Sequence, residues 1–421
     1  MSALPDGYKM TELGPLPAEW RVVKLGDVAD LTMGQSPPSS TYNTVGKGIP
    51  FLQGKAEFGE IYPKPAKWCS APLRTAKRGS VLVSVRAPVG DANLANQDFC
   101  IGRGLAALSG KQLLVNEFLF FYLLDSKSLL EEQGTGSTFK SINKAILTNF
   151  PIPLLPLAEQ RAIAEALRAV QEAQEATGRV IAAARELKQS LMRHLFTYGP
   201  VPVEQADRVP MQETELGPLP AHWRVVRLGE VVSLRKGTIS PAEVPNARYI
   251  GLEHIGSGEI TIKRFGHASD TKSAKAIFQA GDILYGKLRP YLDKAALAEW
   301  GGVCSTDILV LIPLQVDPLF GAYLMHSSHV LNHAIATTTG VNHPRTSWKA
   351  LSQCMIPLPP LAEQREIARI LQTVDEKIRA EEARRQALEA LFKTLLHDLM
   401  TARRRLPVEF ITQFNQDNSH D

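Results

Sequence analysis

No stretch of this chain is apolar for long enough to cross a membrane as a helix. The longest uninterrupted run, Phe118 to Leu124, falls far short of the ~18 residues a span needs. The first ten residues hold Pro, Asp, Gly and Lys and no apolar core, so no secretory leader is expected and the chain reads as cytoplasmic. Cysteine is scarce. Cys69, Cys100, Cys304 and Cys354 lie far apart, with no CxxC pair and no zinc-ligand spacing to histidine, which predicts buried reduced thiols rather than a disulfide frame or metal site. An excess of one charge is also missing. The chain has 47 basic and 43 acidic residues for a formal +4, which permits a polyanionic partner without demanding one, since a small net charge can hide a basic face. With 44% hydrophobic and 21% charged residues a disordered or fibrous protein is disfavoured. At 421 residues the chain exceeds one ordinary core, because domains run to about 100–200 residues.

Catalytic signatures are absent as well. The sequence contains no HExxH, no GxSxG, no Cys/His cluster, no GxGxxG after a strand and no Asn-Pro-Pro-aromatic segment. Gly281-Asp-Ile-Leu-Tyr-Gly-Lys287 has the glycine spacing and lysine of a phosphate loop, but Leu288 stands where Ser or Thr would hold magnesium. Arg289-Pro290 then blocks the helix that would cradle phosphates, so the segment reads as a strand ending in a turn. His326, His329 and His333 could share a helix face and bind a metal, but a solvated helix face is the expected arrangement. The chain is therefore expected to perform no chemistry itself.

What is present is a repeat. Residues 11–28, TELGPLPAEWRVVKLGDV, return at 214–231 as TELGPLPAHWRVVRLGEV, with fifteen of eighteen positions identical. IPLLPLAEQRAIAEAL from Ile152 returns as IPLPPLAEQREIARIL from Ile356. The two offsets, 203 and 204, are nearly equal, so one domain-sized unit was duplicated in tandem. A solenoid is excluded, because its period is only about 20–50 residues. Between the matching blocks the copies diverge, although Gly79–Pro88 still faces Gly281–Pro290.

The first part of each unit is rich in Gly, Pro and β-branched residues. Strands are predicted at Val22–Val28, Gly48–Leu52, Ser80–Val85 and Leu105–Leu108, and again at Val225–Leu228, Arg248–Leu252, Asp282–Tyr285 and Asp307–Ile312. A helix is predicted over Asn116–Glu132, with a counterpart at Pro318–Ile335. After Pro156 the chain runs to Phe196 with no proline and only Gly178, and Ile163, Leu167, Val170, Ile181, Leu191 and Leu195 recur at three- and four-residue steps. The same pattern follows Pro360 to about Arg405. These are long helices with coiled-coil spacing, each about 60 Å long at ~1.5 Å per residue. Their apolar seams are expected to pair antiparallel with each other; the alternative is that each packs only on its own globular unit. Gly178 is a candidate bend. The fold class is α+β with an internal pseudo-twofold repeat.

Lysines and arginines crowd both divergent regions, and polar loops lie beside them: Gly34-Gln-Ser36, Thr135-Gly-Ser-Thr138, Gly237-Thr-Ile-Ser240 and Asn342-His-Pro-Arg-Thr-Ser347. Such residues neutralise phosphates and read base edges. The candidate DNA-binding residues are Gln35, Ser36, Arg86, Thr135, Ser137, Lys140, Lys236, Thr238, Ser240, Arg289, Asn342, His343, Arg345 and Ser347; a structural turn is the competing role for Arg86 and Arg289. The residues alone leave a second class open, a DNA-independent protein-interaction scaffold of two duplicated modules.

The repeated LPLAEQR and LPPLAEQRE blocks, together with the GPLPxxWRVVxLG(D/E)V opener, resemble the specificity (S) subunit of type I restriction–modification systems. GSVLVSVRAPVG, GDILYGKLRPYL, Ile101-Gly-Arg-Gly104 and Cys304-Ser-Thr-Asp307 match that family's style, and the resemblance spans essentially the whole chain. It implies a target-recognition domain over 1–150, a helical region over 151–200, a second recognition domain over 201–356, a second helical region over 357–405 and a tail over 406–421. It implies double-stranded DNA as partner, each recognition domain reading one half of a split, asymmetric target. It implies docking of methylation (M) subunits, expected in two copies, and of restriction (R) motor-nuclease subunits. No cofactor is expected in this chain; S-adenosylmethionine, ATP and Mg would belong to those partners. The helices would act as a rigid spacer, because one base pair shifts a half-site by ~3.4 Å and about a tenth of a turn. Gln171-Glu-Ala-Gln-Glu-Ala176 is a place where short-repeat changes would alter that spacer.

Overall fold

A computed structural model describes residues 4–136 and 140–415. The chain divides into two compact units, and neither is a single sequence segment. Unit 1 comprises residues 1–178 and 383–421, and unit 2 comprises residues 179–382.

In unit 1 an antiparallel four-stranded sheet has the order Ala92–Leu94, Val81–Ser84, Leu105–Gly110, Ala29–Met33. Its central strand Val81–Ser84 is buried along its whole length, which explains a run of β-branched and apolar residues without alternation. A five-stranded sheet follows, ordered Tyr42–Asn43, Lys67–Cys69, Ile49–Leu52, Phe99–Ile101, Thr75–Ala76, with Ile49–Leu52 and Phe99–Ile101 parallel. Unit 2 repeats the plan. Its four-stranded sheet runs Val232–Leu234, Ile308–Pro313, Ile283–Gly286, Ala295–Leu297, and its five-stranded sheet runs Thr238–Ile239, Lys275–Phe278, Gly302–Cys304, Arg248–Ile250, Gly266–His267.

The two five-stranded sheets differ at one edge. Tyr42–Asn43 adds beside Lys67–Cys69, whereas Thr238–Ile239 adds beside Lys275–Phe278, at the opposite edge of the shared four-strand core. The segment leaving the first strand of the unit thus travels in different directions in the two copies.

The long helices span Leu157–Tyr198 and Leu361–Met400. In unit 1, Ile163 and Leu167 share a core with Leu396, Leu399 and Met400, and Gln174 donates to the Leu388 carbonyl at 2.9 Å. In unit 2, Arg185 meets Glu382 and Lys188 meets Asp375, both at 2.7 Å, while Leu195 and Phe196 share a core with Ile367, Ala368 and Leu371. Numbers rise along one helix as they fall along the other, so the helices pair antiparallel in each unit, and packing on the globular part alone is ruled out. The first helix continues through Gly178 without a break in its helical run.

The repeated motifs fasten helix to sheet. Glu159, at the start of the first helix, accepts the Trp20 indole N–H at 3.0 Å and two bonds from the Arg405 guanidinium at 3.0 Å. Gln160 accepts from the Val115 amide and donates to the Leu113 and Leu155 carbonyls. In unit 2, Glu363 accepts from Trp223 at 2.9 Å and meets His222 Nε2 at 2.6 Å, and Gln364 accepts from the Asp317 amide.

Three local expectations are corrected. Val22–Val28 and Val225–Leu228 are not strands to their ends: strands Arg21–Lys24 and Arg224–Arg227 pass into single helical turns, Leu25–Val28 and Leu228–Val231. Leu25 and Val28 stand three apart and both point into the core, a helical rather than strand spacing. The helix predicted over Asn116–Glu132 is two helices, Asn116–Asp125 and Lys127–Gln133, and its counterpart is Pro318–Leu324 and Ser328–Ala336. In the second case Ser327 caps the new helix by accepting from the Val330 amide, which rewards a fresh start there. Finally, His326, His329 and His333 do not form a solvated face. His326 Nδ1 lies 2.7 Å from Asp293 and its Nε2 3.0 Å from the Ala295 carbonyl, His333 meets the Ala350 carbonyl, and burial lowers the pKa of His329. Gly281–Lys287 forms the expected strand, Ile283–Gly286, followed by a turn, and all four cysteines are free and buried.

Candidate nucleic-acid interface

Unit 1 gathers most of its candidate residues at one end of the four-stranded sheet. Where strand Ala29–Met33 stops, Gly34 donates to the Leu105 carbonyl at 2.9 Å and Gln35 donates to the Ile101 carbonyl at 3.0 Å. Ser36 Oγ then accepts from the Arg103 amide at 3.1 Å and from Gln53 Nε2 at 3.0 Å. A side chain at Gly34 could not be accommodated, since its Cβ would fall 2.2 Å from the Gly102 carbonyl oxygen. From the same end, Val85 donates to the Gly104 carbonyl and Ile142 donates to the Val85 carbonyl, both at 2.9 Å. Arg86 and Thr135 each bridge to Ser141, and Lys140 Nζ donates to the Glu131 carbonyl at 2.8 Å. Gln35, Ser36, Arg86, Thr135 and Lys140 therefore lie along one continuous hydrogen-bonded path. Ser137 lies outside the described residues.

Arg86 and Arg103 are exposed on this end, and neither has an acidic partner among the described residues. By contrast Lys55 and Lys127 share Asp91, and Lys77 pairs with Asp98. An exposed guanidinium without a carboxylate keeps its fork of donors for a ligand. Arg103 and Gln53 were not among the residues singled out from sequence. The signal for them was the Gly102-Arg-Gly104 spacing, because two glycines let the chain close on Gln53 and leave only the arginine side chain outward.

In unit 2 the equivalent loop is Lys287–Asp293. Lys287 donates to the Asp307 carbonyl at 2.9 Å, and Thr346 donates to the Lys287 carbonyl at 3.0 Å. Leu288 bridges to Arg345, and Arg345 to Thr339. Arg289 donates to the Pro344 carbonyl at 2.7 Å, and both Arg289 (φ 51°) and Asp293 (φ 49°) adopt the left-handed conformation. A non-glycine residue there stores strain of about 1–3 kcal/mol, a feature concentrated at working sites. The loop presents Arg289 and Tyr291, the latter 55% exposed. Beside it stand exposed Asn342 and His343.

Not every candidate is free to read DNA. Arg345 is tied to Asp307 by Nε–Oδ1 and Nη2–Oδ2 contacts of 3.0 and 3.4 Å, and that carboxylate raises its pKa. Ser347 caps the helical turn Trp348–Leu351 by accepting from the Ala350 amide, and Ser240 caps the turn Pro241–Glu243. Lys236, Thr238 and Ser240 follow the strand that leaves for the far edge of the five-stranded sheet, where Thr238 pairs with Ala276. No hydrogen bond joins these three to the Arg289 loop. So unit 2 brings together Arg289, Asn342, His343 and Arg345, and leaves Lys236, Thr238 and Ser240 on another part of its surface.

Among the described residues there is no group of three or more His, Cys, Asp or Glu arranged to hold a metal ion, and no helix is long and apolar enough to cross a membrane. Residues 17–183 and 220–390 each match the model of the type I restriction modification DNA specificity domain. The chain is 46% identical over 193 residues to a protein described as the type I restriction enzyme MjaX specificity subunit of Methanocaldococcus jannaschii, a match covering 45% of this chain and 45% of that protein. It is 26% identical over 379 residues to the type I restriction enzyme EcoDI specificity subunit of Escherichia coli, covering 85% of this chain and 81% of that one. In fold it is similar to the S subunit of a type I restriction–modification system from M. genitalium, with a TM-score of 0.61 at 18% identity, over 90% of this chain and 96% of that chain.

Proposed function

Since this chain belongs to the type I restriction–modification DNA specificity family, we propose that its two units each read one half of a bipartite, asymmetric double-stranded DNA target. Unit 1 reads through the end of its four-stranded sheet, with Gln35, Arg86, Arg103 and Lys140. Unit 2 reads through the strained loop carrying Arg289 and the neighbouring Asn342 and His343. The observation that carries this reading is the convergence of separate loops onto one sheet end in each unit, with different side chains in the two copies. Equivalent scaffolds with unlike tips are what reading two unlike half-sites requires. Arginines without carboxylate partners suit phosphate oxygens or guanine edges, and Asn342 suits adenine.

In this reading the chain supplies recognition and no catalysis, and it acts in the cytoplasm. Two methylation subunits dock on it and bring S-adenosylmethionine; restriction subunits bring ATP hydrolysis and magnesium. The paired long helices set the separation and phase between the two readers, and so the gap in the target.

The test is to map N6-methyladenine across a genome carrying this chain and its partners, then to repeat the map with the chain deleted. A split asymmetric motif should lose its methylation, and its gap gives the spacer. Methylation unchanged by the deletion, in a demonstrably active complex, would overturn the proposal and leave a protein scaffold as the better reading.

A further inference from the structure

The two units fill one equivalent position in chemically opposite ways. In unit 2, Lys188 on the first long helix places its Nζ 2.7 Å from Asp375 Oδ1 on the second and 3.0 Å from the Gly258 carbonyl. The Tyr323 hydroxyl donates to the other carboxylate oxygen at 2.7 Å, and the ammonium sits 5.5 Å from the Tyr323 ring centroid. Lys188 and Asp375 are only 14% and 16% exposed, and Tyr323 is fully buried.

The repeat register identifies the counterparts in unit 1. The helices begin the same LAEQR block at Leu157 and Leu361, which aligns Asp375 with Gln171 and Phe392 with Lys188. Gln160 and Gln364 accept from the Val115 and Asp317 amides, which aligns Phe121 with Tyr323. In unit 1 Phe121 and Phe392 meet edge to face at 6.1 Å, and Gln171 keeps a buried Oε1 without a hydrogen-bond partner among the described residues. A lysine–aspartate–tyrosine set in one unit thus replaces a phenylalanine–glutamine–phenylalanine set in the other.

We propose that this asymmetry is a pairing code, which makes the helix halves of one chain choose each other and reject the equivalent halves of a second copy. The neighbouring seam positions do not discriminate: Leu191, Met192, Leu195 and Phe196 align with Leu395, Leu396, Leu399 and Met400, all large and apolar. A second copy could therefore lay its own first helix against the first helix here. That swap would bury Lys188 against Phe121 and Gln171, with no carboxylate. The reciprocal swap would bury Asp375 and Tyr323 against Phe392, with no cation. Each mismatch strands one charge in a mostly dry site, which disfavours it roughly tenfold to a hundredfold after allowance for the residual solvent. Stability alone is a poor reason to keep such a set, because apolar replacement of a buried ion pair is often neutral or favourable. Selecting the partner is the better-attested use of a buried polar contact between helices.

The test uses two differently tagged copies of the full chain, unfolded together, refolded at micromolar concentration and captured through one tag. The wild-type pair should give low carry-over of the second tag. Lys188→Phe/Asp375→Gln/Tyr323→Phe gives both units the apolar set, and cross-capture should rise at least tenfold. Phe392→Lys/Gln171→Asp/Phe121→Tyr gives both units the charged set, and cross-capture should rise likewise. Carry-over equal to wild type in the two triple variants would overturn the proposal. So would failure of the first triple to fold, because the code requires the apolar set to pack in either unit.

Discussion

Replacing Glu159 by alanine is expected to loosen unit 1 by about 2–4 kcal/mol. Its side chain is 3% exposed and receives the Arg405 guanidinium, itself 39% exposed. It also receives the indole N–H of Trp20, which is 1% exposed. Removing the carboxylate strands a buried N–H, at about 1–3 kcal/mol. Arg405 loses its partner but is open enough to rehydrate, so the ion pair adds only about 1 kcal/mol rather than the full value of a buried pair. Glu159→Gln keeps an acceptor for Trp20 and should cost about half as much. Trp20→Phe removes one hydrogen bond and should cost about 1 kcal/mol beyond any packing change. Because two units need not unfold together, the assay is amide hydrogen exchange resolved by peptide. Residues 157–178 and 383–400 should exchange about 30- to several-hundred-fold faster in Glu159→Ala, at a tenfold per ~1.4 kcal/mol. Equal acceleration in both units, or none in unit 1, would refute the latch.

Other outcomes follow from the same geometry. Arg86→Ala and Arg103→Ala should weaken DNA binding by the assembled complex, and each lost phosphate contact should lower the salt slope by about 1; a titration of affinity against salt checks this. Arg289→Gly removes left-handed strain and should raise stability by about 1 kcal/mol while weakening DNA binding, measured by denaturation alongside binding. For Glu382, burial works against ionisation, but its pairs with Lys263 and Arg185 prevail and hold the carboxyl below its ordinary value of 4.5. Its folded-state pKa is depressed, so the stability it contributes is complete above that ordinary value and is lost as pH falls through the lower folded one. A Glu382→Gln variant should flatten that acid limb of a stability–pH curve.

The duplication was legible because the residues that fasten helix to sheet must be the same twice. Trp20 and Trp223, Glu159 and Glu363, and Gln160 and Gln364 hold equivalent bonds, so their spacing survives where the reading surfaces diverge. The long helices were legible from their periodicity and their lack of proline. Helix breaks at Ser126 and Ser327 were not, because a serine within a helical pattern is neutral until its cap geometry is known. Nor was the edge-strand switch, since Tyr42–Asn43 and Thr238–Ile239 find their partners through pairing distant in sequence. That switch is why Thr238 and Ser240 lie apart from Arg289. The loops of unit 1 could be nominated singly; only the register of Gly34, Gly104 and Ser141 joins them into one surface.

The central claim is that each unit reads its own half of the target. N6-methyladenine mapping with two variants tests it most directly: Arg86→Ala combined with Arg103→Ala in unit 1, and Asn342→Ala in unit 2. The account predicts that the first relaxes one half of the methylated motif and the second relaxes only the other half, with the gap unchanged. Equal relaxation of both halves by either variant would contradict it.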